Sequence, residues 1–516
     1  MWATILALLL VVLSIWYYLT RQYNYFEKRG IPYPKQLTQI RNMWDAIVKQ
    51  KPVTDLVEEI YNVHHEAIYV GFYDFMRPVI TIRDIELVKS ITVKYFEHFQ
   101  DHQGFQDLQD EPLFSKNLFG LCGDRWREIR TLLSPAFTSS KMKSMFKLML
   151  ECADQYGNFM ATLPEDKRTL ELKDTFTRYT NDVIATCAFG VSVNSITDRN
   201  NKFYEYGRES TNFGRLAMLK IAMFRCVPFL VKMFGIKLVS RRVEDFFKDL
   251  VESTIKYRDD NNVVRPDMIQ LMMETRGKLG PGKELTIDDM TAQAFTFFFG
   301  GFESTSALMC FAAYEVGVNP DVQKRLQEEI DQVLENCKGE VTYDAINGLK
   351  YLDAVIYEAL RIYPVIVVAD RRCTKAFELP PALPGLKPYV IQKDEYLWIP
   401  IYGIQHDPAY FKEPKKFNPD RFLPDAKVVL NSGTFLSFGM GPRMCIGNRF
   451  ALLETKVLLF NIFARCNLKP CSKTCIPMKL MQKGFALTSK EGFWFDIEPR
   501  KDAKLVGSVC NSSASC

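Results

Sequence analysis

One cysteine lies at the end of a short glycine-containing loop, directly before a helical pattern. The stretch Phe438–Gly447 reads FGMGPRMCIG, and its cysteine is Cys445. Unpaired N–H groups at the start of the following helix would favour a thiolate on Cys445. Gly441 and Gly447 would let the backbone approach a flat ligand closely, and Arg443 could reach an acidic group at its edge. A haem held by a cysteine thiolate fits this combination, whereas Cys445 alone would more simply be a buried thiol after a turn.

A second pattern lies inside Thr286–Val316, the longest uninterrupted helical segment. It contains the run Gly300–Ser306, which reads GGFESTS. Two glycines in a helix interior cost roughly 1 kcal/mol each relative to alanine. The run therefore predicts a ligand pressed against the backbone, beside the acid Glu303 and the hydroxyl of Ser304. The alternative is a close crossing of two helices.

Two weaker sets of residues stand at helical spacing. Trp126 and Arg130 are four residues apart, and both are hydrogen-bond donors that suit carboxylates. Glu358 and Arg361 are three residues apart, and Arg421 follows later in the chain. Taken alone, the first pair is explained equally well by a solvated helix surface and the second by a generic surface ion pair.

In this order, the motifs resemble those of the cytochromes P-450, and their wording is most similar to insect microsomal members of the xenobiotic-metabolising clan. The resemblance implies a mainly α fold with small β-sheets. In it, haem b (iron protoporphyrin IX) is buried between the long distal helix and the proximal cysteine loop. The resemblance further implies Cys445 as the axial ligand and a structural triad of Glu358, Arg361 and Arg421. The residues implied as haem contacts are Trp126, Arg130, Arg371, Phe438, Arg443 and Gly447.

The same resemblance assigns catalytic and pocket residues. Glu303 and Ser304 would relay protons, although the family usually has threonine where this chain has Ser304. Residues 99–120 would form the loop that covers the distal face of the haem. Ordinary loop packing explains the phenylalanines of that loop equally well. The residues implied for the substrate pocket are Phe105, Phe119, Phe297, Gly301, Val365, Ala369 and Phe485, with Phe114 as a further candidate.

The N-terminal segment has the character of a membrane anchor. Trp2–Leu19 contains no charged residue, and its 18 residues at ~1.5 Å rise just span a bilayer core. Basic residues follow it and none precedes it, which favours an anchor with the rest of the chain in the cytosol. A cleaved signal peptide would need a basic start. We predict a signal anchor at 1–20, a basic, proline-containing linker at 21–35, a monooxygenase domain at 36–500 and a disordered tail at 501–516, in the endoplasmic reticulum membrane.

A second apolar stretch, Leu216–Ile236, carries Lys220, Arg225 and Lys232 and an internal proline. Burying these charges in a second membrane span would cost several kcal/mol. The stretch therefore predicts an interfacial segment that dips into the membrane surface.

Composition argues against several other classes of protein. The net charge of +5 is mild and gives no reason to expect a nucleic-acid partner. The 13 cysteines have no disulfide-framework spacing and indicate free thiols of a reducing compartment. The cluster of Cys466, Cys471 and Cys475 lacks metal-site spacing. His98 and His102 are four residues apart, but Phe99 follows His98 where the zinc-protease pattern needs glutamate, so a polar surface is the simpler explanation.

The source of electrons must lie outside the chain. The G-x-G runs at Gly280 and Gly439 lack a third glycine, so no nicotinamide or flavin site is predicted. By resemblance, the donors would be NADPH–cytochrome P-450 reductase and, as a second candidate, cytochrome b5. The implied reaction inserts one oxygen atom of O2 into lipophilic small molecules. The candidates are xenobiotics such as insecticides or plant toxins, and endogenous hormones or lipids. Two alternatives are a haem-thiolate isomerase or dehydratase and a non-catalytic haem or lipophile binder. The former usually loses the acid–hydroxyl pair that this chain keeps.

Overall fold

The computed structural model describes residues 24–35, 51–75, 77–103, 108, 110–211, 214–276, 284–338, 340–426, 432–483 and 486–504, and the single residues 2, 9 and 17. The predicted pocket residues Phe105 and Phe485, most of the predicted anchor and residues 505–516 lie outside the described residues.

The described chain is mainly helical. Its α-helices are α1 (Val53–Tyr61), α2 (Ile85–Lys89), α3 (Pro112–Ser115), α4 (Gly123–Leu133), α5 (Ser139–Ala161), α6 (Leu172–Ile184), α7 (Lys202–Thr211), α8 (Arg215–Cys226), α9 (Pro228–Met233), α10 (Arg241–Asn261), α11 (Met268–Met273), α12 (Ile287–Val318), α13 (Pro320–Asn336), α14 (Tyr343–Asn347), α15 (Lys350–Ile362), α16 (Ile401–Gln405) and α17 (Asn448–Arg465).

Small β-sheets accompany the helices. The strands are β1 (Tyr69–Asp74), β2 (Arg77–Ile82), β3 (Thr169–Glu171), β4 (Ala369–Arg372), β5 (Phe377–Leu379), β6 (Tyr389–Ile391), β7 (Tyr396–Ile399), β8 (Cys466–Pro470), β9 (Leu480–Lys483), β10 (Ala486–Ser489) and β11 (Trp494–Pro499). One sheet has the order β1-β2-β7-β4, another β3-β11-β8, and β5-β6 and β9-β10 form two-stranded sheets. In the four-stranded sheet only β2 and β7 are parallel. The predicted mainly α fold with small sheets is confirmed.

Helix α12 is the central element of the molecule. Thr286 and Asp289 form a reciprocal capping box at its start, which satisfies backbone donors that the first turn leaves unpaired. The helix packs against α6, α10, α15 and α17. Every residue from Thr305 to Gly317 is buried, and this removal of apolar surface from water stabilises the position of the helix. The two glycines, Gly300 and Gly301, precede this buried run and are not buried themselves.

Part of the predicted linker belongs to the folded body. Phe26 is fully buried on the four-stranded sheet. A Cβ atom at Gly71 would lie 2.3 Å from its ring, so the glycine makes room for it. The Tyr25 hydroxyl donates to the carboxylate of Glu395. Residues 24–35 therefore pack against the sheet as part of the folded domain.

The apolar stretch Leu216–Ile236 lies at the surface. It folds as α8 and α9, and Pro228 opens the second helix. The Lys220 ammonium donates to the carbonyl of Lys237, and Arg225 pairs with Asp74 at 2.6 Å. Within the described ranges, no helix is both long and apolar enough to cross a membrane. The large exposed apolar side chains of this stretch are Leu216, Leu219, Val227, Phe229, Leu230, Met233 and Phe234.

Candidate active site

The loop before Cys445 is a tight turn closed by backbone hydrogen bonds. The N–H of Cys445 donates to the carbonyl of Phe438 at 2.8 Å. Gly441 has a φ of +74°, which side-chain-bearing residues rarely adopt. A Cβ atom there would also lie 2.0 Å from the carbonyl oxygen of Thr92. Gly441 is therefore required by the turn and by its packing on Thr92, rather than by clearance for a ligand as predicted.

The charge state of Cys445 depends on two opposing effects. The side chain is exposed, yet neighbouring protein atoms surround it closely enough that burial raises the pKa of its thiol. A hydrogen bond from the N–H of Gly447 and the charge of Arg130 act in the opposite direction. The hydrogen bond from Gly447 favours the thiolate, as predicted for the N–H groups at the start of the following helix, and burial opposes it. Coordination to a metal ion would supply the remaining stabilisation, since a coordinating thiol is deprotonated.

Arg443 and Trp126 form one unit beneath the cysteine loop. The Arg443 guanidinium lies 4.0 Å from the centroid of the Trp126 ring. Its nitrogens donate to the carbonyls of Gln100, Leu118 and Leu121 at 2.7–3.1 Å. These bonds use three of the five donors of the side chain. Arg443 therefore joins Gln100, Leu118 and Leu121 to the cysteine loop and keeps two donors for a further partner.

Arg371, on β4, carries an unsatisfied buried donor. One terminal nitrogen donates to the carbonyl of Asp370 at 2.7 Å. The Nε atom is buried and has no acceptor among the described residues. Burial also lowers the pKa of the Arg371 guanidinium to about 10. A buried cation with a free donor is costly, so this position suits an anionic ligand.

The charges around Arg371 point to the same kind of ligand. Arg372 pairs with Asp101 at 2.9 Å, and Arg443 lies 3.6 Å from the same carboxylate. With Asp370 and the more exposed Asp394, which lies 3.5 Å from Arg372, three aspartates face three arginines. Arg130 adds a further cation near Cys445, where it donates to the carbonyl of Met444. This excess of positive charge fits the carboxylates of haem b, and the nearby Cys445 fits its iron.

The two glycines of α12 have different neighbours. A Cβ atom at Gly301 would lie 2.7 Å from Cδ1 of Ile184, so Gly301 permits the close crossing with α6. Open space lies beside Gly300. The prediction that Gly301 lines the substrate pocket is therefore corrected in favour of Gly300. The Ser304 hydroxyl donates to the carbonyl of Gly300, one turn back in the helix.

Glu303 is held by a partner that the sequence analysis missed. Its Oε1 lies 3.0 Å from the Lys173 ammonium of α6, and both side chains are mostly buried. That oxygen makes no hydrogen bond, so the contact is ionic. Lys173 instead donates to the hydroxyl of Ser306 at 2.7 Å. Lys173 lies 130 residues before Glu303, and no local spacing connects the two.

A family model described as Cytochrome P450 matches residues 37–494 of this chain. The chain belongs to the cytochrome P450 family. Among its relatives, cytochrome P450 9e2 of Blattella germanica is 42% identical over 97% of this chain and 98% of its own length. Probable cytochrome P450 9f2 of Drosophila melanogaster is 39% identical over 92% of this chain and 95% of its own. Probable cytochrome P450 6a18, also from Drosophila melanogaster, is 35% identical over 90% and 92%.

Family membership settles the class of enzyme and its cofactor. The chain is a P450 monooxygenase, an oxidoreductase that carries haem b with a cysteine thiolate as ligand. Similarity to insect members of the 9 and 6 groups supports the xenobiotic-metabolising type. The P450 family also implies a redox partner and a lipophilic substrate.

The structure of this P450 brings the predicted triad together. Both terminal oxygens of Glu358 accept hydrogen bonds from Arg361, at 2.7 and 2.8 Å, and both side chains are fully buried. Nε of Arg421 donates to Glu358 at 3.3 Å. Gln405 was not predicted; its side chain accepts the N–H of Leu436, two residues before the cysteine loop. Arg361 donates to the carbonyl of Gln405, so the triad is linked to that loop.

The predicted pocket residues of this P450 differ in their surroundings. Phe119 is 49% exposed and lies beside His102. Phe297 packs against Phe137 with ring centroids 5.5 Å apart. Val365 is buried, and its carbonyl accepts the N–H of Leu487.

The predicted pocket residue Ala369 lies in a β-sheet, and two further apolar side chains lie near the predicted pocket residues in sequence. Ala369 pairs with Ile399 in the sheet. Ile366 belongs to the stretch Pro364–Asp370, which the resemblance implies for the distal pocket, and it is 41% exposed. Phe299 was not predicted, and its ring lies edge-on to that of Phe114. Phe299 stands four residues before Glu303, and this helical spacing could have indicated it.

Proposed function

We propose that this P450 inserts one oxygen atom of O2 into lipophilic small molecules, using electrons from NADPH through a partner reductase. Three observations carry the proposal: the tight loop that ends at Cys445, the arginines beside that loop with a buried donor of Arg371 left unpaired among the described residues, and the open space beside Gly300 of α12. Cys445 would be the axial ligand, with Phe438 and Gly447 in the turn around it. Trp126, Arg130, Arg371 and Arg443 would hold the haem carboxylates. Thiolate-bound haem supplies O2 activation and O–O cleavage.

The residues of α12 would handle protons and bind substrate. The Ser304 hydroxyl can both accept and donate a proton at Oγ. Glu303, fixed by Lys173, would hold a carboxylate beside it. Phe119, Phe299 and Ile366 offer apolar surface for a lipophilic substrate. Xenobiotics such as insecticides or plant toxins fit such a surface, as do hormones and lipids.

The direct test is NADPH consumption by the purified protein together with purified reductase. We expect consumption that depends on a lipophilic substrate and yields an oxygenated product. An isomerase or dehydratase would convert its substrate without NADPH or reductase, and a binding protein would show a haem spectral shift without turnover. A broad ligand screen by that spectral shift would then identify the substrate class.

The redox partner would dock on the surface nearest Cys445. Val93 and Met444 are exposed there. The basic residues Arg127 and Lys143 would give this surface positive charge that attracts an acidic partner, although each also contacts a carboxylate of this chain. NADPH–cytochrome P-450 reductase is the proposed donor, and cytochrome b5 a second one. Both would meet the enzyme on the cytosolic side of the endoplasmic reticulum membrane.

Removal of residues 1–20 is expected to leave the protein partly membrane-bound. The exposed side chains of Leu216, Phe229 and Phe234 in α8–α9 offer apolar surface, and each large apolar side chain contributes about 1.5–3 kcal/mol when fully buried. Flotation of the truncated protein with vesicles measures this. Serine at these three positions should release it, whereas serine at the equally exposed Tyr257 and Val264 should not. If the truncated protein without serine substitutions is recovered completely in the low-salt soluble fraction, the prediction of an interfacial segment is contradicted.

Exchange of Ser304 for threonine is expected to raise the product formed per NADPH consumed. The Ser304 hydroxyl is bonded to the carbonyl of Gly300, and a serine adopts this rotamer more freely than a threonine. The hydroxyl therefore points toward the ligand side for less of the time, and electrons leak to peroxide. Ser304→Ala should lower the product yield sharply.

The matched control for Ser304 is Thr291→Ala, which removes the same type of bond, to the carbonyl of Ile287, at the far end of α12. It should leave the product yield unchanged. Equal yields for serine, threonine and alanine at position 304 would show that Ser304 has no part in proton delivery. Peroxide production, measured alongside product, separates uncoupling from simple loss of haem.

A further inference from the structure

A buried carboxylate joins the segment Asp101–Gln103 to β4. One oxygen of Asp370 lies 3.0 Å from Nδ1 of His102, and the other accepts the backbone N–H of Gln103. Burial alone would raise the pKa of Asp370. His102, Arg371 and the Gln103 N–H outweigh burial and hold this pKa well below its usual range. Asp370 is therefore an ionised group whose bonds tie two separate segments together.

Two buried donors without acceptors lie on the segments that Asp370 joins. They are Nε2 of Gln103 and Nε of Arg371, and neither has a hydrogen-bond partner in the described part of the chain. Both side chains are about 2% exposed. A buried donor left unpaired costs about 1–3 kcal/mol. Such donors on adjoining segments indicate a ligand with anionic oxygen atoms.

We propose that Asp370 is a positioning residue for the haem carboxylates, and that Gln103 is a further donor to them. By fixing Asp101–Gln103 on β4, Asp370 presents the free donors of Gln103 and Arg371 together. The Nη1 atom of Arg371 also lies 3.5 Å from Nδ1 of His102, so the imidazole lies against both charged side chains. This inference rests on the proposed contact between Arg371 and the haem.

The experiment measures haem transfer from the holoenzyme to excess apomyoglobin, together with the haem reduction potential. Loss of a supporting partner at a metal site typically weakens binding 10–100-fold, so Asp370→Asn should release haem about tenfold faster. It should also raise the potential, because a negative charge near the haem is lost. Asp370→Glu should restore both values in part. Gln103→Leu, a neutral change of similar size, should speed haem release and leave the potential nearly unchanged.

Asp74→Asn is the matched control, since Asp74 is a mostly buried, arginine-paired carboxylate on β1, at the opposite edge of the same sheet. It should lower thermal stability without changing haem release or potential. The inference is overturned if Arg371→Leu speeds haem release but Asp370→Asn and Gln103→Leu both release haem at the wild-type rate. If Arg371→Leu also releases haem at the wild-type rate, the result refutes the proposed contact between Arg371 and the haem instead.

Discussion

Replacement of Cys445 by alanine is expected to abolish both the thiolate-type spectrum of the reduced, CO-treated protein and its monooxygenase activity. Cys445 is the cysteine of the tight loop between Phe438 and α17, and its side chain is exposed despite its protein surroundings. The hydrogen bond from Gly447 and the charge of Arg130 both favour the thiolate. An alanine offers no ligand, so the electron donation that favours O–O cleavage is lost.

Two variants make this result specific. Cys445→His should shift the CO spectrum to the histidine-ligated type if the side chain at this position binds the iron. Cys471→Ala removes a part-buried thiol from the turn after β8 and should leave the spectrum unchanged. A thiolate-type spectrum in folded Cys445→Ala protein would assign the iron ligand to another cysteine.

Features encoded by short-range spacing could be predicted from the sequence. The cysteine loop and the pair of Glu358 and Arg361 depend on residues a few positions apart, and their geometry follows from one turn or one helix. The long helix was also predictable, because Thr286–Val316 is apolar and free of proline. The family resemblance then supplied the order in which these elements meet.

Features that depend on contacts between distant segments could not be predicted. Lys173 reaches Glu303 because α6 crosses α12 at Gly301, and the sequence contains no spacing that records the crossing. Arg443 was expected to contact an acidic group of a ligand, and its bonds to the backbone carbonyls of Gln100 and Leu118, more than 300 residues away, were not predicted. The opposing effect of burial on the pKa of Cys445 was not predicted, for the same reason. Burial is a property of the packed molecule, whereas helix position can be read from the sequence.

Replacement of Glu358 by glutamine is expected to lower the free energy of unfolding by about 3–5 kcal/mol, because it leaves the charge of Arg361 buried and uncompensated. Both side chains are fully buried. The loss should extend to the haem site, since Arg361 also donates to the backbone carbonyl of Gln405, and the side chain of Gln405 accepts the N–H of Leu436. We therefore expect little haem-loaded protein, measured as the ratio of Soret to protein absorbance, and a lower denaturant midpoint for the remainder.

Asp420→Asn is the matched control, because Asp420 is adjacent in sequence to Arg421 and pairs with Arg325 at 2.7 Å, but both partners are exposed. Pairs of that kind contribute about 0–1 kcal/mol, so the midpoint and the haem content should hardly change. The double variant Glu358→Leu with Arg361→Leu should recover part of the lost stability, because an apolar pair leaves no unpaired buried charge. If Glu358→Gln destabilises the protein no more than Asp420→Asn does, the buried pair does not fix the cysteine loop. The position of the cysteine loop would then depend on its own backbone hydrogen bonds, such as that from Cys445 to Phe438.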